Sequence, residues 1–134
     1  MNILGCNFFC KRKDGGKDSP VDAYFLFEIK GLFSVALLKF NKGMREQYHS
    51  HAFNAYTWLL KGALFEEDKD SEEIYVYERS LLPKYTPREK FHRVRATETS
   101  WCLTVRGRWQ DTWQEYDDKT GEYTTFTHGR VKVK

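Results

Sequence analysis

The chain has 134 residues, enough for one domain with one core and too few for two. Its net charge of +3, with lysines and arginines interleaved with acids along the chain, gives no electrostatic case for nucleic acid as a partner. No apolar run approaches the length of a membrane span, so no membrane partner is expected. Ten Phe, eight Tyr and four Trp can fill a core and also line a ligand pocket. The three cysteines, Cys6, Cys10 and Cys102, are an odd number, and the start MNILGCNFF has neither a basic beginning nor a small-residue cleavage site. A reducing cytoplasm with free thiols is the expected compartment.

In chain order, residues 2–10 form an apolar first strand, and residues 11–20 (KRKDGGKDSP) read as a charged, solvated loop. Residues 22–29 (DAYFLFEI) fit either a strand or a short helix. Residues 32–40 (LFSVALLKF) are a buried strand, closed by the turn signal Asn41-Lys42-Gly43. A strand is expected over residues 44–51 and another over 55–60, ended by Lys61-Gly62 and continued by 63–65. Residues 66–73 (EEDKDSEE) read as a charged turn, and 74–77 (IYVY) as a strand. Residues 82–87 carry two prolines, which exclude a central strand, and lead into a strand over 90–95. Residues 99–106 (TSWCLTVR) are strongly strand-like: Trp101, Leu103 and Val105 share one face, and Cys102, Thr104 and Arg106 the other. A strand over 109–116, the turn DDKTG and a strand over 122–127 make a hairpin. The last residues, 130–134, alternate basic residues with valine as an edge strand would. Many short strands with regular turns and no long helix indicate a β-sandwich, jelly roll or barrel.

The chemistry concentrates in three histidines. His49 and His51 are two residues apart, so on a strand both imidazoles face one side. His92, in PREKFHRV, supplies a third. Three imidazoles suffice for a mononuclear centre of zinc, iron, manganese, nickel or copper. His128, in THGR, reads as exposed and unrelated.

The spacing Gly43-x5-His49-x-His51-x10-Gly62 resembles the first motif of the cupin superfamily, and Pro87-x-Glu89-x-x-His92 resembles its second. A narrower likeness, to small bacterial and phage cupins of the cysteine-dioxygenase-like type, lies in the order HSHAFN, YTWLLKGALFEE, FHRV and VRGRWQDTW. The resemblance implies an all-β, cupin-type double-stranded β-helix, or jelly-roll barrel, with residues 1–134 as one domain. It also implies a divalent transition metal (Fe, Zn, Mn or Ni) held by His49, His51 and His92. The usual fourth ligand, a glutamate separated from the histidine pair by three or four residues, is replaced by Ala55 and Tyr56, so a three-histidine site remains. Asn54, Tyr56, Arg106 and Arg108 are the candidate ligand-binding residues beside it, with Tyr48, Tyr85 and Glu89 as further groups near the motifs. Two functions fit: a metal-dependent, dioxygenase-like enzyme acting on a small polar molecule, or a non-catalytic cupin binding a small anionic ligand, a nucleotide or a host protein. The expected partner is a small-molecule ligand or substrate, and pairing as a homodimer is compatible with the resemblance.

Overall fold

The computed structural model describes residues 2–3, 6–14, 19–29, 31–44, 48–127 and 131–132; His128 lies outside them. The described residues form strands and no helix. In order these are β1 (Asn2–Ile3), β2 (Cys6–Lys13), β3 (Val21–Glu28), β4 (Ser34–Phe40), β5 (Gly43–Met44), β6 (Tyr48–His49), β7 (Ala55–Lys61), β8 (Leu64–Asp68), β9 (Ile74–Val76), β10 (Lys84–Thr86), β11 (His92–Ala96), β12 (Ser100–Arg106), β13 (Thr112–Asp117), β14 (Glu122–Thr127) and β15 (Val131–Lys132). One sheet runs β1-β2-β3-β4-β12-β7-β10, and the other runs β15-β14-β13-β6-β11-β8-β9, with β5 pairing β11. All pairings are antiparallel. The fold is an all-β jelly roll, and among the described residues no helix is long and apolar enough to cross a membrane.

Period-two alternation decides what each strand buries. On β4, Ser34, Ala36 and Leu38 are buried while Val35 and Leu37 are half-buried. The core joins the sheets: Val21, Ala23, Phe25, Ala36, Leu38, Leu59 and Cys102 come from the first, and Leu64 and Ala96 from the second. Removing a side chain such as Phe25 from water contributes about 1.5–3 kcal/mol. Strand β12 is inverted relative to polarity: Ser100, Cys102, Thr104 and Arg106 point inward, while Trp101, Leu103 and Val105 stay half-exposed. Its polar face borders the cavity described below.

Gly62 sends the chain from one sheet to the other. Its φ is +102°, and a Cβ there would lie 2.1 Å from Ser100 Oγ and 2.6 Å from Ser100 Cα. Only glycine accepts both the left-handed backbone and the close approach. Residues 63–65 therefore do not continue β7; Leu64 opens β8 in the opposite sheet.

Other segments also depart from the sequence expectation. Residues 22–28, which the sequence left open between strand and short helix, are strand, with a register shift between Phe25 and Phe27 that turns Leu26 outward and Glu28 inward. Strand β2 runs on to Lys13, into the segment expected to be loop. The expected charged turn at 66–73 begins as strand: Glu66 and Asp68 belong to β8, and Glu66 is buried. The proline-flanked segment contains a short edge strand, β10, between Pro83 and Pro87, which pairs with β7 through Tyr85↔Tyr56. Prolines at both ends leave the three paired residues free to donate. The strand expected over 44–51 is regular only at β5 and β6 among the described residues, because Ser50 begins a segment pinned by other partners.

Candidate metal centre

The three histidines meet by two routes. His49 on β6 stands directly opposite His92 on β11 in the strand register. His51 lies beyond β6, in a segment whose backbone polar groups bond outside any ladder. Ser50 N–H donates to Gln114 O (2.8 Å), His51 N–H to Arg88 O (3.0 Å), and Gln110 N–H to Ala52 O (2.6 Å). Gln114 N–H donates back to Ser50 Oγ at 2.9 Å. This lacing replaces the strand in aiming His51. The ring centroids of each histidine pair are 4.9 Å apart. One ligand nitrogen from each ring falls in a group spanning no more than 4.8 Å.

Behind His92 stands Glu66. Its carboxylate is 1% exposed and accepts a short hydrogen bond from His92 Nδ1. Lys84 Nζ and Lys90 Nζ each lie 2.9 Å from Glu66 Oε2, and Tyr77 O–H donates to Oε1 at 3.2 Å. Burial by itself would raise the Glu66 pKa. The hydrogen bond from His92, with the charge of Lys84 and the hydrogen bond from Lys90, outweighs it and holds the carboxyl well below the usual range. Burial, and next the Glu66 carboxylate, push the Tyr77 phenol well above its ordinary value, so it stays a donor. Because Glu66 is ionised it can only accept, so His92 must carry its proton on Nδ1. Its Nε2 lone pair is then turned into the cluster, 3.4 Å from His51 Nε2. Two nitrogens each about 2.1 Å from one ion, at octahedral to tetrahedral angles, would lie about 3.0–3.4 Å apart. Three imidazoles with a carboxylate behind one of them are a donor set suited to a borderline divalent cation.

No protein-family model matches the sequence, and no curated protein matches it. Solved structures do. A sugar phosphate isomerase of the cupin superfamily from Silicibacter pomeroyi is 16% identical, with 94% of this chain and 88% of that chain covered and a TM-score of 0.58. A cupin-2 domain protein from Rhodospirillum rubrum is 15% identical, with 85% and 77% covered and a TM-score of 0.58. A cupin-2 domain containing protein from Shewanella frigidimarina is 17% identical, with 64% and 79% covered and a TM-score of 0.52. The chain has the cupin fold.

Within this cupin barrel the other sequence-selected residues take separate places. Ala55, where a cupin glutamate is usual, lines the cavity and brings no carboxylate. Arg106 also lines the cavity, 3% exposed, in a two-pronged pair with Asp14 (3.2 and 2.6 Å) and 4.5 Å above the Phe53 ring. Asn54 and Tyr56 border a separate outer depression with Phe33, Tyr85 and Gly107. There Asn54 Oδ1 accepts Arg88 N–H at 2.8 Å, and Tyr56 packs on Tyr85 with centroids 5.0 Å apart. Arg108 is exposed and lines neither space. Glu89 is exposed beside Arg88, and Tyr48 packs under Arg93. Sequence reasoning passed over Glu66, Tyr77, Lys84 and Lys90. The available signal was the alternation of Leu64, Glu66 and Asp68, which puts Glu66 on the face of the buried Leu64.

The histidines open onto a cavity of about 470 Å³ between the sheets. Thr57, Thr86 and Thr104 bring hydroxyls to it from neighbouring strands of the first sheet, and Thr57 and Thr104 oppose each other in register with oxygens 3.4 Å apart. From His51 a run of rings continues along the wall: His51 to Phe53 at 5.4 Å, Phe53 to Trp109 at 5.2 Å, and Trp109 to Trp113 at 5.8 Å. Such a cavity lies within the usual range for small-molecule sites.

Proposed function

We propose that this cupin is a metal-dependent enzyme that holds one divalent transition metal ion on His49, His51 and His92 and acts on a small molecule in the adjoining cavity, with oxygenation as the reaction class. One observation carries the reading: three imidazoles, two of them buried and that of His51 half-buried, converge on the cavity wall, and an ionised carboxylate fixes the tautomer of one of them. The ion supplies Lewis-acid chemistry there and, if it is iron, redox chemistry. Three imidazole ligands would bring no carboxylate charge to offset that of the ion. The chain's own residues supply the rest. Glu66 orients His92 and raises its basicity as a ligand. Tyr77, Lys84 and Lys90 keep Glu66 in place. Phe53, Trp109 and Trp113 limit water beside the site, and the threonine hydroxyls donate to or accept from ligand oxygens.

The test is thermal melting of untagged protein with zinc, iron(II), manganese or nickel. A ligand at a hundred times its dissociation constant stabilises the folded state by about 2.7 kcal/mol. At least one of these ions should raise the melting temperature, a chelator should reverse the rise, and His92→Ala should abolish it. No shift with any ion would overturn the reading.

A further inference from the structure

The charged groups lining the cavity are already matched with one another. Arg12 bonds the fully buried Glu28. Lys13 lies 2.8 Å from Asp22, and Arg106 is clamped by Asp14. A phosphate or similar anion would have to compete with these carboxylates for each cation, losing a formed ion pair for every one it gained. The cavity surface left to a ligand is of three kinds: imidazole nitrogens, threonine hydroxyls, and the ring wall of Phe53, Trp109 and Trp113. Phe53, Trp109 and Trp113 all line the cavity, and the two tryptophans are only half-buried, with Trp113 also stacked on Phe126. Flat rings set edge to face, with Trp109 and Trp113 at an interplanar angle of 88°, form a corner into which another ring can pack.

We infer that the molecule recognised here is an oxygen-bearing aromatic compound: its oxygens face the three imidazoles, and its ring lies against Phe53, Trp109 and Trp113. This rests on the metal reading for the oxygen end and on the ring wall alone for the body. It differs from the small polar molecule, small anionic ligand or nucleotide that the sequence suggested in having an apolar bulk. Burying a phenyl group in place of a methyl group in such a corner should tighten binding about tenfold or more.

Calorimetric titration of zinc-loaded protein with mandelate, catechol and lactate tests this. Mandelate and lactate share one hydroxy-acid head and differ only in phenyl against methyl. We expect mandelate or catechol to bind at least about tenfold more tightly than lactate. Trp113→Ala and, separately, Trp109→Leu should erase that preference while zinc content, read by elemental analysis, stays at the wild-type level. If zinc is retained and neither ring compound outbinds lactate, the inference is overturned and the metal reading stands. If zinc is not retained but metal-free protein still prefers mandelate to lactate, the metal reading fails and the ring site stands. Inorganic phosphate binding more tightly than all three would also overturn the inference.

Discussion

Replacing Glu66 by glutamine keeps the side chain's shape and removes its charge. In the wild type one buried carboxylate serves His92, Lys84, Lys90 and Tyr77 together. After Glu66→Gln, Lys90 keeps Asp68 at 3.6 Å, but Lys84, whose side chain is 12% exposed, keeps only the rings of Tyr75 and Tyr77 at 4.9 and 5.6 Å. Removing one partner of a buried ion pair costs about 3–5 kcal/mol, and partial access of the two ammonium groups to water places this case near the lower end, about 3 kcal/mol. For a chain of this size that corresponds to a fall of roughly 10 °C in melting temperature. Loss of a carboxylate behind a ligating histidine typically costs ~10–100-fold in metal affinity. Both are measurable on one preparation, by urea unfolding of metal-free protein at pH 7 and by zinc competition against a chromophoric chelator. The pH dependence gives an independent check. The folded-state pKa of Glu66 is depressed, so its stabilisation is complete above the unfolded value of about 4.3 and drains away as pH falls below that. The stability gap between wild type and Glu66→Gln should therefore narrow as the pH is lowered from 5 towards 3. A variant within about 0.5 kcal/mol of wild type, with unchanged zinc affinity, would refute the network's role.

Further outcomes follow from other parts of the fold. Lys84→Met should cost less than Glu66→Gln in the same unfolding assay, because Glu66 keeps His92 and Lys90; an equal or larger loss would contradict the hierarchy. Gly62→Ala combines left-handed backbone with a clash against Ser100 and should destabilise the protein by about 2–4 kcal/mol. The double variant Gly62→Ala/Ser100→Gly should recover only part of that, since Ser100 Cα also stands at 2.6 Å; full recovery by calorimetry would show the backbone term to be negligible. Burial pushes the Cys102 thiol up to about 12, so iodoacetamide at pH 8 should label Cys102 only after unfolding, as read by mass spectrometry. Labelling of Cys102 in the native protein would contradict its burial.

The histidine triad was legible in the sequence because its spacing is local: His49 and His51 are two residues apart, and His92 sits in a short apolar strand. The reason for their convergence was not legible. A strand through His51 would aim both rings by alternation, whereas the chain leaves the sheet at Ser50 and is re-aimed by Arg88 and Gln114, residues distant in sequence. Glu66 was hidden by its company, since an acid inside EEDKDSEE looks like solvent-facing charge until β8 is paired with β11. Strand β12 misleads in the same way. Its tryptophan, leucine and valine stay half-buried on the other face, while Thr104 and Arg106 line the cavity, with Arg106 held there by Asp14, a partner distant in sequence. The outward turn of Asn54 and Tyr56 also depends on the β7–β10 pairing and could not be read from their neighbours.

The most direct measurement is elemental analysis of untagged protein alongside His49→Ala, His51→Ala and His92→Ala. Close to one equivalent of a single transition metal per chain is expected in the wild type, natively or after reconstitution, and its loss in all three folded variants. A metal-free protein that cannot be reconstituted, or metal that survives all three substitutions, would contradict the metal reading.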